Sequence, residues 1–274
     1  MATAAGNVRK MKSVLDQTVH YSLPVGDTRV ELNALIGQSI KLTYAGVINC
    51  VACGRKSNKS FNQGYCFPCF RGLAQCDSCI MSPEKCHFHV GTCREPDWGE
   101  QNCMIDHFVY LANTSALKVG ITRHSQIPTR WVDQGAVQAL PIARVSSRRL
   151  SGLLEVAIGQ SVADKTAWQT MLKGQPEAID LYAARDSLLA QYEETIAALQ
   201  TEFGVQALQT LPEAEVVEIT YPVSTYPDKV KALNFDKQAV VEGRLVGIKG
   251  QYLILDCGVL NVRKFGGYHL QLEY

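Results

Sequence analysis

The chain has no apolar run approaching the ~20 residues that a membrane span requires, no tandem repeat and no low-complexity tract. Its first residues, Met1 to about Gln17, are small and polar. They carry Arg9, Lys10 and Lys12 and lack the continuous apolar stretch of a secretory signal. These absences leave no membrane partner to expect and point to a cytoplasmic protein. A dominant charge is missing too, since 27 Lys+Arg stand against 26 Asp+Glu, so net charge selects no class of partner. Hydrophobic residues, at 46% of 274, are not scarce, and they suffice for a real core in one large or two to three small domains.

Cysteine is what the chain has in quantity. Ten cysteines in a reducing compartment stay as thiols, available to metal, rather than pairing as disulfides. Charge is plentiful as well, but unevenly placed. From Lys118 to Arg149, Lys118, Arg123, Arg130, Arg144, Arg148 and Arg149 stand against Asp133 alone. From Glu177 to Asp228, ten acidic residues face only Arg185. The first stretch suits a polyanion or an ordinary solvated surface.

The pattern reads as α+β. Residues 28–49 alternate through Ile40, Leu42 and Tyr44 and give strands. Residues 50–103 are rich in Cys, Gly, Ser and Asn and poor in aliphatics, as expected of a module folded around metal. Within 107–173 the order is a hairpin (Phe108 to Ala112, Leu117 to Thr122), a short helix from Pro128 to Gly135, a strand from Leu140 to Val145, and a helix from Arg148 to Val162. Residues 177–204 contain one long acidic helix, Leu181 to Phe203, stopped by Gly204. Residues 213–274 hold the short strands VVEITYPV, AVVEGRLVGI, QYLILDCGVLNV and YHLQLEY. With the N-terminal strands these make a small barrel or sandwich from both ends of the chain.

Cys50-x2-Cys53, twelve residues, then Cys66-x2-Cys69 is close to the four-thiolate zinc ribbon pattern, two knuckles converging on one tetrahedral ion. Such a closed site folds its module and does not catalyse. A second set follows, with Cys76 and Cys79 as a knuckle and Cys86 and Cys93 favoured as the remaining ligands; His87, His89 and Cys103 are substitutes. A second zinc is the leading reading there and a four-cysteine iron–sulfur cluster the competing one, while the two histidines also read as ordinary surface or core residues.

The stretch HFVYLANTSALKVGITRHSQIPTRWVDQGA, followed by RRLSGLLEVAI, resembles the GIY-YIG nuclease domain. Phe108-Val109-Tyr110 lies on its first motif and Lys118-Val119-Gly120 on its second, where Lys118 replaces a tyrosine. Arg130 matches the helical arginine and Glu155 the metal-binding glutamate, but the usual later asparagine has no counterpart between Glu155 and Asn234. The cysteine module together with this stretch also resembles a bacterial family known only as a domain of unknown function, a resemblance that covers nearly the entire chain. The GIY-YIG resemblance implies an endonuclease with Tyr110, Lys118, Arg130 and Glu155 as its catalytic set and Mg²⁺ or Mn²⁺ on Glu155.

The chemistry can be stated from the residues. Phosphodiester cleavage needs a base for water, a cation against phosphate charge and a metal for the leaving oxygen. Tyr110, with Lys118 beside it, suits the first; Arg130 and Lys118 the second; Glu155 with its metal the third. Each residue also has a plain reading, Glu155 and Arg130 as solvated side chains and Tyr110 as a strand aromatic. Gly152, in mid-helix, costs about 1 kcal/mol against Ala, and a close approach there would explain it. The sequence therefore points to a zinc protein that binds DNA or RNA, with or without cutting. The alternative is a scaffold recruiting a protein partner through the zinc module and the acidic helix.

Overall fold

The computed structural model describes residues 2–162 and 166–274, so residues 163–165 of the 107–173 segment lie outside it. The strands, in chain order, are β1 (Thr3–Asn7), β2 (Lys12–Val14), β3 (His20–Val25), β4 (Thr28–Glu31), β5 (Ser39–Asn49), β6 (Lys56–Ser57), β7 (His107–Asn113), β8 (Leu117–Arg123), β9 (Gln138–Val145), β10 (Leu208–Thr210), β11 (Val217–Glu218), β12 (Val240–Lys249), β13 (Tyr252–Leu255), β14 (Gly258–Asn261) and β15 (Tyr268–Glu273). The helices are α1 (Phe67–Gly72), α2 (Pro96–Asn102), α3 (Thr129–Asp133), α4 (Arg148–Ile158), α5 (Trp168–Lys173), α6 (Leu181–Gln191) and α7 (Glu193–Phe203).

Both ends of the chain meet in one antiparallel sheet ordered β1-β15-β5-β12-β13-β14, with β6 on β5. The alternation read through Ile40 and Leu42 buries those two side chains, because β5 is a central strand with β15 on one side and β12 on the other. A three-stranded sheet, β2-β3-β4, covers it, and the core between them includes Tyr21, Leu23, Leu32, Leu42, Leu253 and Leu272. The polar N-terminus is thus structured: β1 pairs with β15 along its length, and Met11 is fully enclosed.

A second antiparallel sheet is ordered β10-β9-β7-β8, with β11 also on β9. The segment VVEITYPV, read from the sequence as part of the C-terminal β-domain, is divided: Val217 lies opposite Ala139 in this sheet, while Ile219 and Tyr221 enter the larger core and Val223 bridges to Gly247 of β12. One face of this sheet, through Tyr110, Ala112 and Ala139, joins the core of the larger β-structure. The other, through Val109, Leu111, Val119 and Leu140, packs against Leu150, Leu154 and Ile158 of α4 and residues of α6 and α7. Helix α4 is capped by Ser147, whose hydroxyl accepts from the Leu150 amide, and ends at Ile158. The long acidic helix of the sequence reading is two helices, broken at Tyr192. Leu188 precedes the break and Ile196 and Leu199 follow it, and all three are buried against the same core.

Candidate functional site

The cysteine segment has little regular structure and is built of turns. Cys50 follows β5 and its amide donates to Arg55 O, while the Gly54 amide turns back to Cys50 O. Gly54 has φ +72, which a side chain would strain. Cys66 immediately precedes α1, and Pro68 lies in that helix's first turn. These two turns bring the sulfurs of Cys50, Cys53, Cys66 and Cys69 within 4.8 Å of one another. Cys53 Sγ lies 3.8 Å from Cys66 Sγ, the edge of about 3.8 Å expected for a tetrahedron with zinc–sulfur bonds of about 2.3 Å. Burial pushes the Cys50 thiol up, but backbone N–H groups of Cys66, Cys53 and Ala52 outweigh it and hold it at about 6. This cluster can hold a metal ion, and its all-thiolate donor set is consistent with zinc.

The remaining cysteines divide differently from their order in the chain. Cys79, Cys86, Cys93 and Cys103 line one small cavity with His87. Cys76 is buried away from it, hydrogen-bonded with Asn62 and close enough to Cys50 to feel its charge. His89 is exposed. Asp77, Cys79 and His87 also come within 4.8 Å of one another, with Asp77 paired to Arg94 at 2.7 Å.

In the second sheet Tyr110 lies directly opposite Gly120, and Ala112 opposite Lys118. Opposed residues share a face, so Tyr110, Lys118 and Gly120 lie on one side. A Cβ on Gly120 would sit 2.7 Å from the Tyr110 hydroxyl; the ring lies across the space left by the missing side chain. Tyr110 is fully buried, edge-on to Trp131 at 5.9 Å between centroids, and its hydroxyl donates to Gln134 Oε1 at 2.9 Å. Burial raises this phenol. The Arg130 charge and hydrogen bonding with Arg130 and Gln134 act downward, while the Glu155 charge adds to the rise. Tyr110, Arg130 and Glu155 therefore sit within electrostatic reach of one another. Lys118 is buried, with Nζ 3.5 Å from Thr166 Oγ1. Glu155 is half-buried on α4.

Helix α4 is held by the cysteine module. A Cβ on Gly152 would meet the Glu84 amide at 2.5 Å and Pro83 at 2.6 Å. The missing side chain admits the 83–85 turn of the module, and Arg148 Nη2 donates to Ile80 O at 2.6 Å beside it.

Of the six cations between Lys118 and Arg149, Arg144 pairs with Asp106 at 2.5 Å and Arg149 lies over the Phe203 ring. Arg123, Arg130 and Arg148 converge: burial lowers Arg148, Cys103 acts against this, the charges of Arg130 and Arg123 lower it further, and Cys79 again opposes them. Arg263, from the turn after β14, is lowered by burial and then by Arg130. Among the described residues none of these four forms an ion pair. Two cavities flank the cluster. One, of about 370 Å³, is lined by Arg9, Lys10, Lys12, Tyr65, Gln75 and Arg263. The other, of about 210 Å³, is lined by Trp98, Asn102, Arg123 and Arg148 and shares Gln75 and Ile80 with the first. Among the described residues no carboxylate lines either cavity. Arg9, Lys10 and Lys12 read in the sequence only as a basic N-terminus, and Arg263 carried no signal at all, since its partners lie more than a hundred residues upstream.

No helix of the structure is long and apolar enough to cross a membrane. No curated protein and no solved structure matches the chain. The model of the family described as "Protein of unknown function (DUF2797)" matches residues 37–270, and the chain belongs to that family.

Proposed function

We propose that this protein binds DNA or RNA through the arginine-lined cleft where the second sheet, the cysteine module and the terminal β-structure meet. The observation that carries this reading is the gathering of Arg123, Arg130, Arg148 and Arg263 without an ion pair among the described residues. Like charges held together in partial burial lower stability unless an anion offsets them. Guanidinium groups grip phosphate through paired donors. Two cavities of about 370 and 210 Å³ that share Gln75 and Ile80, with Arg9, Lys10, Lys12 and Arg263 on the walls of one and Arg123 and Arg148 on those of the other, suit successive phosphates of a strand.

The GIY-YIG resemblance is compatible with this location: its matched Arg130 acts electrostatically on Arg148 and Arg263, and Arg130 and Glu155 in turn act on Tyr110. Binding fits these residues better than cutting does. The Tyr110 hydroxyl is enclosed, donates to Gln134 and has its pKa raised, which disfavours the phenolate needed of a base. For cleavage, Mg²⁺ would be held by Glu155, since this ion commonly takes one or two carboxylates together with substrate phosphates, and it would stabilise the leaving oxygen. The scaffold alternative rests on acidic charge alone, and Glu193 and Glu194 already have a local role in the first turn of α7.

Fluorescence anisotropy with labelled single- and double-stranded DNA and RNA at low and raised salt tests the proposal, with Mg²⁺ or Mn²⁺ added to detect cleavage. Binding that weakens steeply with salt is expected. Arg130→Ala and Arg263→Ala should each weaken it across sequences and reduce the logarithmic salt slope by about 1. Binding that survives Glu155→Gln with no cleavage supports the binding module alone; absence of both binding and cleavage sinks both nucleic-acid readings.

A further inference from the structure

The larger of the two cavities beside the arginine cluster has more than positive charge in its walls. Val51, Tyr65 and Ile80 line it together with the amide-bearing Gln63 and Gln75. Phe67 and Phe70 pack their rings on Phe61, whereas Tyr65 is not part of that group and lines the cavity. Among the described residues the side-chain amides of Gln63 and Gln75 have no hydrogen-bond partner. Gln75 is half-buried and shared by both cavities. Each amide offers both donors and an acceptor to whatever enters.

The same wall is held in a conformation that costs the chain. Asn62, with φ +42, and Gln63, with φ +65, are the two non-glycine residues at positive φ among those described, and both line this cavity. Such backbone persists only where its surroundings impose it, and it gathers at ligand sites. Here it is imposed from two sides. A Cβ on Gly64 would lie 2.6 Å from Val51, and one on Gly266 would overlap the Gln63 carbonyl oxygen. The turn that carries Arg263 therefore packs directly on this loop, and the cavity is preformed. Its volume of about 370 Å³ falls within the range of about 300–1,000 Å³ of sites that enclose a small organic group. Phosphate charge alone would call for neither the apolar wall nor the open amides.

We propose that this cavity takes the base of one unpaired nucleotide, so that the cleft is built for single-stranded rather than duplex nucleic acid. The base lies against Tyr65 and Ile80, the amides of Gln63 and Gln75 meet its polar edge, and Arg9 and Arg263 hold the phosphates beside it. This inference rests on nucleic-acid binding at the cleft and specifies its substrate. A site that read charge alone would favour the duplex, whose phosphates are denser.

The test is fluorescence anisotropy of the full-length protein with three labelled probes: a short single strand, as DNA and as RNA; the same sequence as a duplex; and an abasic strand with the same number of phosphates. The single strand should bind more tightly than the duplex, and the abasic strand about 5- to 150-fold more weakly than the normal one, the range for one stacked base. Tyr65→Leu should lose a comparable factor on the normal strand and nothing on the abasic strand, with the salt slope unchanged because no phosphate contact is removed. Gln75→Ala, which should weaken the normal strand alone, serves if Tyr65→Leu, next to Cys66, fails to fold; the three-probe comparison on the wild type needs no variant. Equal binding of abasic and normal strands, or preference for the duplex, overturns the base pocket while polyanion binding stands. Absence of binding to every probe removes both readings.

Discussion

At residue scale, the tightest constraint near the candidate site is the pair Tyr110–Gly120. Gly120→Ala places a methyl group 2.7 Å from the hydroxyl and 2.8 Å from the ring carbon that bears it, and the buried ring has no free space to retreat into. A loss of about 1–3 kcal/mol is expected from such overpacking, measurable by urea denaturation. Removing the hydroxyl relieves the nearer of the two clashes, so Gly120→Ala should cost less in a Tyr110→Phe background; additive losses would show that the two residues do not oppose each other as described. His107 supplies the second prediction. It is wholly buried, its Nδ1 is 2.8 Å from Ile105 O, and its Nε2 has no partner. Burial holds it down at about 4, so it stays neutral in the folded protein while the unfolded chain takes a proton near 6.5. The unfolded state therefore binds more protons between these values, and stability falls as pH drops from about 6.5 toward 4. That shift corresponds to about 3 kcal/mol. Denaturation midpoints across this range should flatten in His107→Gln, compared with the wild type at each pH.

At the scale of elements, helix α4 and the cysteine module are one mechanical unit. Gly152→Ala ought to stabilise an isolated helix by about 1 kcal/mol. Here the added Cβ meets backbone of the 83–85 turn, which cannot rotate aside as a side chain would. The expected outcome is therefore net destabilisation by about 1–3 kcal/mol, seen as a lowered melting temperature. A rise in that temperature would show that the turn is free to move. Metal removal acts on the same element. Turns that have few buried aliphatic contacts depend on their ion for folding, so stripping zinc from Cys50, Cys53, Cys66 and Cys69 should expose residues 50–73 to protease, while the buried strands β5 and β15 keep their amide protection. Equal protection of the module before and after complete chelation would count against a structural metal there.

Across the whole molecule, the arginine cluster and the cavities beside it are assembled from segments far apart in the chain: Arg9 before β2, Arg123 at the end of β8, Arg130 in α3, Arg148 at the start of α4, and Arg263 after β14. Lys10 helps set this arrangement by pairing with Asp133 at 2.8 Å, and Gln251 binds the other oxygen of the same carboxylate. Asp133 thereby links the N-terminal segment, α3 and the C-terminal sheet. Asp133→Asn should leave Lys10 without its countercharge inside a partly buried contact. Because two neighbours depend on it, a loss of 1–3 kcal/mol or about that much is expected. The same substitution should strengthen polyanion binding at low salt, since it adds one net positive charge beside the cleft. Denaturation and anisotropy on one preparation separate the two effects.

The first cysteine cluster was legible because its members are local: two Cys-x2-Cys turns in twenty residues need only the backbone to bend. The hairpin β7–β8, the short α3 and the apolar face of α4 were legible for the same reason, through periods of two and about 3.6 residues. Gly152 was visible as an anomaly whose cause lay in another element. Tertiary structure alone decided the rest. β1 was hidden because Ala4 and Gly6 carry too little apolar surface to show an alternation, and it is held by pairing with β15 at the opposite end of the chain. Val217–Glu218 went to β9 because pairing depends on which edge is free nearby, which sequence does not encode locally. The acidic helix broke at Tyr192 to keep both halves on one core. Among the cysteines, adjacency in sequence favoured Cys76, whereas the fold carried Cys103 to the cavity on the end of α2. Local patterns determined the cysteine knuckles and the individual elements; the arginine cluster and the second thiol cavity came from long-range packing, which brings together residues whose separation in the chain leaves no periodic trace.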